Sequence, residues 1–137
     1  MDKLHHSLLQ WNINGYISHL EMFQVLLKEE NPTVVALQET HFKEMKTYCP
    51  KNFNGFHKTR ENQQKASGGV SILVRKDINA TEIPVKSDLE VIAVSIMLSR
   101  KINICNIYIP PSKDFTVQDI DKILTQIPSP QSNGSAT

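Results

Sequence analysis

The sequence is poor in cysteine and aromatic residues, has no dominant sign of charge and contains no long apolar run. Its two cysteines, Cys49 and Cys105, stand far apart without Cys-x-x-Cys spacing. That excludes a disulfide scaffold and a cysteine-rich zinc site, and fits two free thiols in a reducing compartment. The longest apolar stretch, Val91 to Leu98, is far too short to span a bilayer, so no membrane-spanning helix and no membrane partner are expected. The opening Met1-Asp2-Lys3, with His5-His6 close behind, lacks the charged segment and long apolar core of a secretory leader. An intracellular protein is the expectation. There is no internal repeat, and no convincing basic localisation run.

What remains is the composition of a folded chain. The 137 residues are 39% hydrophobic and 21% charged, enough for one domain with a sizeable core and outside the disordered range. The net charge of +1 hides an uneven distribution. Residues 1–40 carry two bases against five acids, residues 41–76 eight bases against two acids, and the remainder five bases against seven acids. The basic middle segment interleaves Tyr48, Phe53 and Phe56 with its lysines and could track a phosphate backbone, although charge alone also fits a solvated loop face.

Hydrophobic periodicity predicts alternating elements. Ser7 to Asn12 reads as a short buried strand broken by Asn14-Gly15. Ser18 with Glu21 has capping-box spacing, and Leu20, Phe23, Leu26 and Leu27 then fall on one helical face. Asn31-Pro32 stops that helix, and Thr33 to Gln38 is a β-branched, apolar strand. Strand, helix, strand predicts a βαβ unit with parallel strands. The basic segment that follows reads as loop. Gly68-Gly69 opens a strand at Val70 to Val74, and Ile83-Pro84-Val85 is at best an edge strand. Val91 to Leu98 and Ile102 to Ile109 read as an antiparallel hairpin turning at Ser99-Arg100-Lys101. Thr116 and Asp119 again offer a cap, ahead of a stripe of Val117, Ile120, Ile123, Leu124 and Ile127. The polar, breaker-rich residues 128–137 read as a disordered tail. The fold class is a mixed α/β sandwich, with sheet covered by helices.

Asn12 and Glu39 both fall at the carboxyl ends of strands predicted to be parallel, where α/β proteins gather their ligands. If those strands are neighbours, the two side chains share one crevice. A carboxylate beside a carboxamide oxygen suits Mg²⁺, which needs few protein oxygens. Taken without context, such a glutamate is more often a solvated surface acid, Asn14-Gly15 only a turn, and Tyr108 a rim aromatic.

Four blocks in order change that balance: Leu8-Leu-Gln-Trp-Asn-Ile-Asn-Gly15, Pro32-Thr-Val-Val-Ala-Leu-Gln-Glu-Thr40, Gly68-Gly-Val-Ser-Ile-Leu-Val74 and Asn106-Ile-Tyr-Ile-Pro-Pro-Ser112. Together they resemble the endonuclease/exonuclease/phosphatase superfamily, and within it the endonuclease domains of non-LTR (LINE-like, jockey-type) retrotransposons. The resemblance implies a four-layer αββα sandwich and Mg²⁺-dependent phosphodiester hydrolysis, here the nicking of DNA. It implies Glu39 as metal ligand, Asn12 as the active-site amide near metal and phosphate, Tyr108 as the tyrosine on the scissile phosphate, and Asn14 as a further backbone contact. DNA is the implied partner, with a reverse transcriptase region in a longer product and the nucleus as the place of action.

The family pattern continues into Gly-Asp-Phe-Asn and Ser-Asp-His segments that this sequence does not contain. Residues 1–127 therefore resemble the N-terminal part of the domain, truncated. The expectation is a fragment that is inactive alone for want of a general base, or else a non-catalytic nucleic-acid-binding or complementing module. Half a sandwich is also expected to bare one sheet face and to self-associate through it.

Overall fold

The computed structural model describes residues 6–43, 46–60 and 68–129. The chain runs β1 (Leu8–Asn12), α1 (Leu20–Glu30), β2 (Val34–Gln38), β3 (Phe53–Lys58), β4 (Val70–Arg75), β5 (Asn79–Ile83), β6 (Glu90–Met97), β7 (Lys101–Tyr108) and α2 (Val117–Leu124). Two sheets form, a four-stranded one ordered β1-β2-β4-β3 and a three-stranded one ordered β5-β6-β7. β1 and β2 are parallel, as a helical crossover requires, and the other pairings are antiparallel.

Strand alternation builds the layers. On β2 and β4, Val35, Leu37 and Leu73 point one way, and α1 packs there through Leu20, Phe23 and Leu27. Val34, Val70, Ile72 and Val74 point the other way and meet Ile92, Val94 and Ile96 of β6. The far face of β6 and β7, with Val91, Cys105 and Ile107, receives Ile120 and Ile123 of α2. Three apolar interfaces thus stack four layers, α1, sheet, sheet and α2. Central strands carry apolar residues in both phases because both faces are covered. Phe23 is fully buried, and burial of such a side chain stabilises by about 1.5–3 kcal/mol.

Several local expectations change. The helix after Gly15 begins at Leu20 with His19 as its N-cap and no side-chain cap bond, so Ser18 and Glu21 form no capping box. The reason is tertiary: Gly15 and Tyr16 N–H donate to the carbonyls of Glu39 and Thr40 at 2.8 and 2.9 Å, which holds that entry loop on β2. The box predicted at Thr116 does form, with Asp119 as reciprocal partner. The basic segment read as loop contains β3, an edge strand supported by β4. Pro84 ends an edge strand that lies just before it, β5.

The expected bare sheet face is largely absent, because the two sheets cover one another. What stays open is the overhang of β1, whose Leu8, Gln10 and Asn12 face the sheet–sheet side but are exposed. Residues 130–137 of the predicted tail lie outside the described residues. Pro128 is docked, its carbonyl accepting from Asn103 Nδ2. No helix among the described residues is long and apolar enough to cross a membrane.

Candidate active site

Register places the site. Asn12 ends β1 opposite Gln38 of β2, and Glu39 follows immediately. The parallel pairing therefore puts the Asn12 and Glu39 side chains side by side, with Asn12 Nδ2 donating to Glu39 Oε2 at 3.2 Å. Tyr108, the last residue of β7, reaches across from the second sheet and donates its O–H to the same oxygen. His41 Nε2 stands 3.7 Å from Glu39 Oε1. Three residues singled out from the sequence, Asn12, Glu39 and Tyr108, thus meet at one carboxylate. Asn14 does not join them: it is exposed, and its side chain makes no hydrogen bond among the described residues.

These contacts set the charges. The hydrogen bond from Tyr108 holds the Glu39 carboxyl below its ordinary value, with Asn12 and His41 adding to it against the opposing effect of burial. Glu39 is thus a carboxylate at neutral pH. Tyr108 is pushed up to about 12, first by desolvation and then by its bond to Glu39, so it remains an O–H donor. The donor set suits a hard divalent cation in its chemistry, an ionised carboxylate and a neighbouring carboxamide on an open rim, with the Asn12 oxygen facing the cation once the amide turns over. Here Asn12 turns its nitrogen toward Glu39.

The backbone here is held in an uncommon shape. Glu39 and His41 have φ of 54° and 61°, on either side of buried Thr40. For non-glycine residues the left-handed region costs about 1–2 kcal/mol each, so neighbouring structure must impose it. The neighbour is Gly68-Gly69: their carbonyls accept from His41 N–H at 2.8 Å and Thr40 N–H at 3.2 Å. Gly69 itself has φ of 95°, and a Cβ there would lie 2.6 Å from Thr40 Oγ1. That close approach is the physical content of the Gly-Gly pair ahead of β4.

Two features under and beside the carboxylate were not tied to it from sequence. A buried polar chain crosses the sandwich: Gln10 donates to Gln38, Gln38 Nε2 to Asn106 Oδ1 at 2.7 Å, and Asn106 Nδ2 to the carbonyls of Leu37 and Ser71 at 2.9 and 2.8 Å. Asn106 shares the phase of Ile102, Ile104 and Tyr108 on β7; a polar residue at an inward position was the available signal. Fully satisfied, it fixes the register of one sheet on the other. Arg60 and Glu90 form the second feature, an ion pair close to Tyr108.

A cavity of about 360 Å³ lies at the Thr40–His41 turn that follows Glu39, lined also by Tyr16, Lys43, Lys46 and Tyr48 among others. Tyr16 and Tyr48 are stacked there, 6.4 Å between ring centres and 12° between planes. A larger cavity of about 730 Å³ lies at the other end of the second sheet, by Asn79, Met97 and Lys101, and contains none of the three converging residues. Both thiols are free, and burial raises them, so neither is set up as a nucleophile.

Solved structures share this arrangement of layers. The endonuclease domain of TRAS1, a telomere-specific non-LTR retrotransposon, superposes with a TM-score of 0.65 at 18% identity, over 88% of this chain and 51% of that one. An AP endonuclease from Archaeoglobus fulgidus gives 0.56 at 18% identity, over 89% and 47%. The 3′ phosphatase NExo from Neisseria, bound to a product DNA hairpin, gives 0.56 at 20% identity, over 76% and 41%. The chain thus spans about half the length, or less, of these structures. No curated protein matches it. The family model for the endonuclease/exonuclease/phosphatase family matches residues 9–131, nearly the whole chain, and the protein belongs to that family.

Proposed function

We propose that the chain is the N-terminal part of a Mg²⁺-dependent DNA endonuclease of the non-LTR retrotransposon kind, catalytically incomplete by itself. The observation that carries this reading is the ionised Glu39, held at the end of β2 by donors from a neighbouring strand and from the opposite sheet. Glu39 and Asn12 would hold the cation. Bound there, Mg²⁺ supplies polarisation of a phosphoryl oxygen and neutralises charge on the leaving oxygen. Tyr108 keeps its proton and would turn its O–H from Glu39 to a phosphate oxygen bound at the same point. Asn14, exposed on the adjoining loop, would contact the backbone further along. No general base stands among these assignments. The complement is the remainder of the domain, on the same longer product or another chain, alongside a reverse transcriptase region and acting on nuclear DNA. The bare overhang of β1 is where self-association would begin without it.

The test is nicking of supercoiled plasmid with Mg²⁺ or EDTA, by the chain alone, by Glu39→Ala, and by the chain mixed with a fragment carrying the missing segments. The expected result is no nicking alone and Mg²⁺-dependent, Glu39-dependent nicking on mixing. A folded mixture that never nicks would sink the complementation reading.

A second reading, a non-catalytic nucleic-acid-binding module, is favoured by one observation. The cavity beside the Thr40–His41 turn carries Lys43, Lys46 and His41, with no acid among its described lining residues, next to the Tyr16–Tyr48 stack. It predicts DNA affinity that falls steeply with salt and drops when Lys43, Lys46, Lys58 and Arg60 are changed to Glu. Affinity indifferent to both would exclude it.

A further inference from the structure

Glu90 has no part in the roles assigned above, yet it is tied to the segments that flank Glu39 and Tyr108. It opens β6 and lies directly opposite Tyr108 in the β6–β7 register. Sharing the phase of Ile92, Val94 and Ile96, it is directed across the gap toward the first sheet. There Oε1 accepts the Gly69 N–H at 2.6 Å, and Oε2 accepts from Arg60, at 2.8 Å from Nε and also from Nη2. The side chain is only 13% exposed, so these bonds are little screened by water.

From Gly69 the connection continues to the site. The Gly69 and Gly68 carbonyls hold the Thr40 and His41 N–H groups, and Thr40 follows Glu39. Glu39 then accepts from Tyr108, which returns to Glu90 through the strand ladder. The result is a closed circuit through both sheets: Glu90, Gly69, Thr40, Glu39, Tyr108. Two residues of the rim sit in left-handed backbone at Glu39 and His41. Glu90 is a side chain of the second sheet that grips the glycine pair imposing that shape.

We propose that Glu90 is a positioning residue for Glu39: by fixing Gly69 from the opposite sheet it locks the Glu39–His41 turn in the shape that presents the carboxylate to a divalent cation. The cation part rests on the reading of Glu39 given above, whereas the locking of the turn does not.

The experiment is amide hydrogen exchange and Mn²⁺ binding on the wild-type chain, Glu90→Gln, Glu90→Ala and Glu39→Ala. In Glu90→Ala, Thr40 and His41 amides should exchange about tenfold faster or more, while Val35 and Val94 change little. Mn²⁺ affinity should fall by about 10–100-fold, the usual loss when a carboxylate ligand's support is removed. Glu90→Gln keeps a carbonyl acceptor for Gly69 N–H and should recover most of the protection at Thr40 and His41. Unchanged exchange at Thr40 and His41 in a folded Glu90→Ala chain would overturn the proposal, as would equal acceleration at Val35 and Val94. If Glu90→Ala does not fold, Glu90→Leu, which keeps the bulk and removes both acceptor oxygens, decides it: acceleration confined to residues 39–41 supports the lock, and none or a uniform one refutes it. Should wild type and Glu39→Ala bind Mn²⁺ equally, the cation reading fails, and the exchange data still decide whether Glu90 locks the turn.

Discussion

The middle of the sandwich and its rim are built from the same strands but by opposite means. Between the sheets, Val34, Ile72 and Val74 meet Ile92, Val94 and Ile96, all nearly or fully buried, in ordinary strand conformation. A few residues along the same chain, Glu39 and His41 adopt left-handed backbone, a carboxylate is kept ionised, and an Arg60–Glu90 pair and two glycines hold the arrangement in place. The middle gains free energy from every contact. The rim spends conformational energy to point particular atoms at one place, which it can do only because the middle is rigid. The difference separates what keeps this protein folded from what it would use to act.

That comparison can be broken from either side. The largest effect should come from the middle: Ile72→Ala removes a fully buried side chain between the sheets and should lower unfolding free energy by about 2–5 kcal/mol. Urea denaturation checks it, and a loss under 1 kcal/mol, on the order of a surface change, would mean the interface is loosely packed. Next comes Gly69→Ala, which places a Cβ against Thr40 Oγ1 and demands φ of 95° from an L-residue. A loss of about 1–3 kcal/mol is expected, with the local perturbation concentrated at Thr40 and His41 in the amide spectrum. An equal disturbance throughout β6 would contradict a rim-local role. The smallest effect should come from Glu39→Gln, and it should depend on pH. The folded carboxyl lies below its ordinary value of 4.5, so its contribution to stability is complete above that value and is lost as pH falls through the folded value. Melting curves of wild type and Glu39→Gln should therefore converge on acidification, while the Ile72→Ala deficit stays in place. A difference that widens with acid would reverse the sign assigned to Glu39.

Legibility in the sequence followed how local each cause was. The β1–α1–β2 unit, the β6–β7 hairpin and the Thr116 cap were readable because each is coded by neighbours within a few residues. β3 was not: Phe53-Asn-Gly-Phe-His-Lys has weak strand propensity, and its conformation comes from pairing Phe56 with Ile72 and His57 with Ser71. The cap expected at Ser18 failed for the same kind of reason, since bonds from Gly15 and Tyr16 to the end of β2 outrank a short-range side-chain bond.

Of the candidate site, Asn12, Glu39 and Tyr108 were accessible through the order of their sequence blocks, and Asn12 with Glu39 also through their strand ends. Their convergence on one oxygen was not, nor was the exposed position of Asn14 away from it. Gln38, Asn106, Arg60 and Glu90 acquire meaning only across the sheet–sheet gap, from residues about 20 to 70 positions away. The sequence by itself determined the alternation of elements, which strand faces are apolar, and the residue types at the strand ends, because side-chain size and backbone preference act over a few residues. Only the tertiary structure decided how the two sheets register and which charges and glycines brace Glu39. Those depend on contacts between distant segments, and no local preference encodes them.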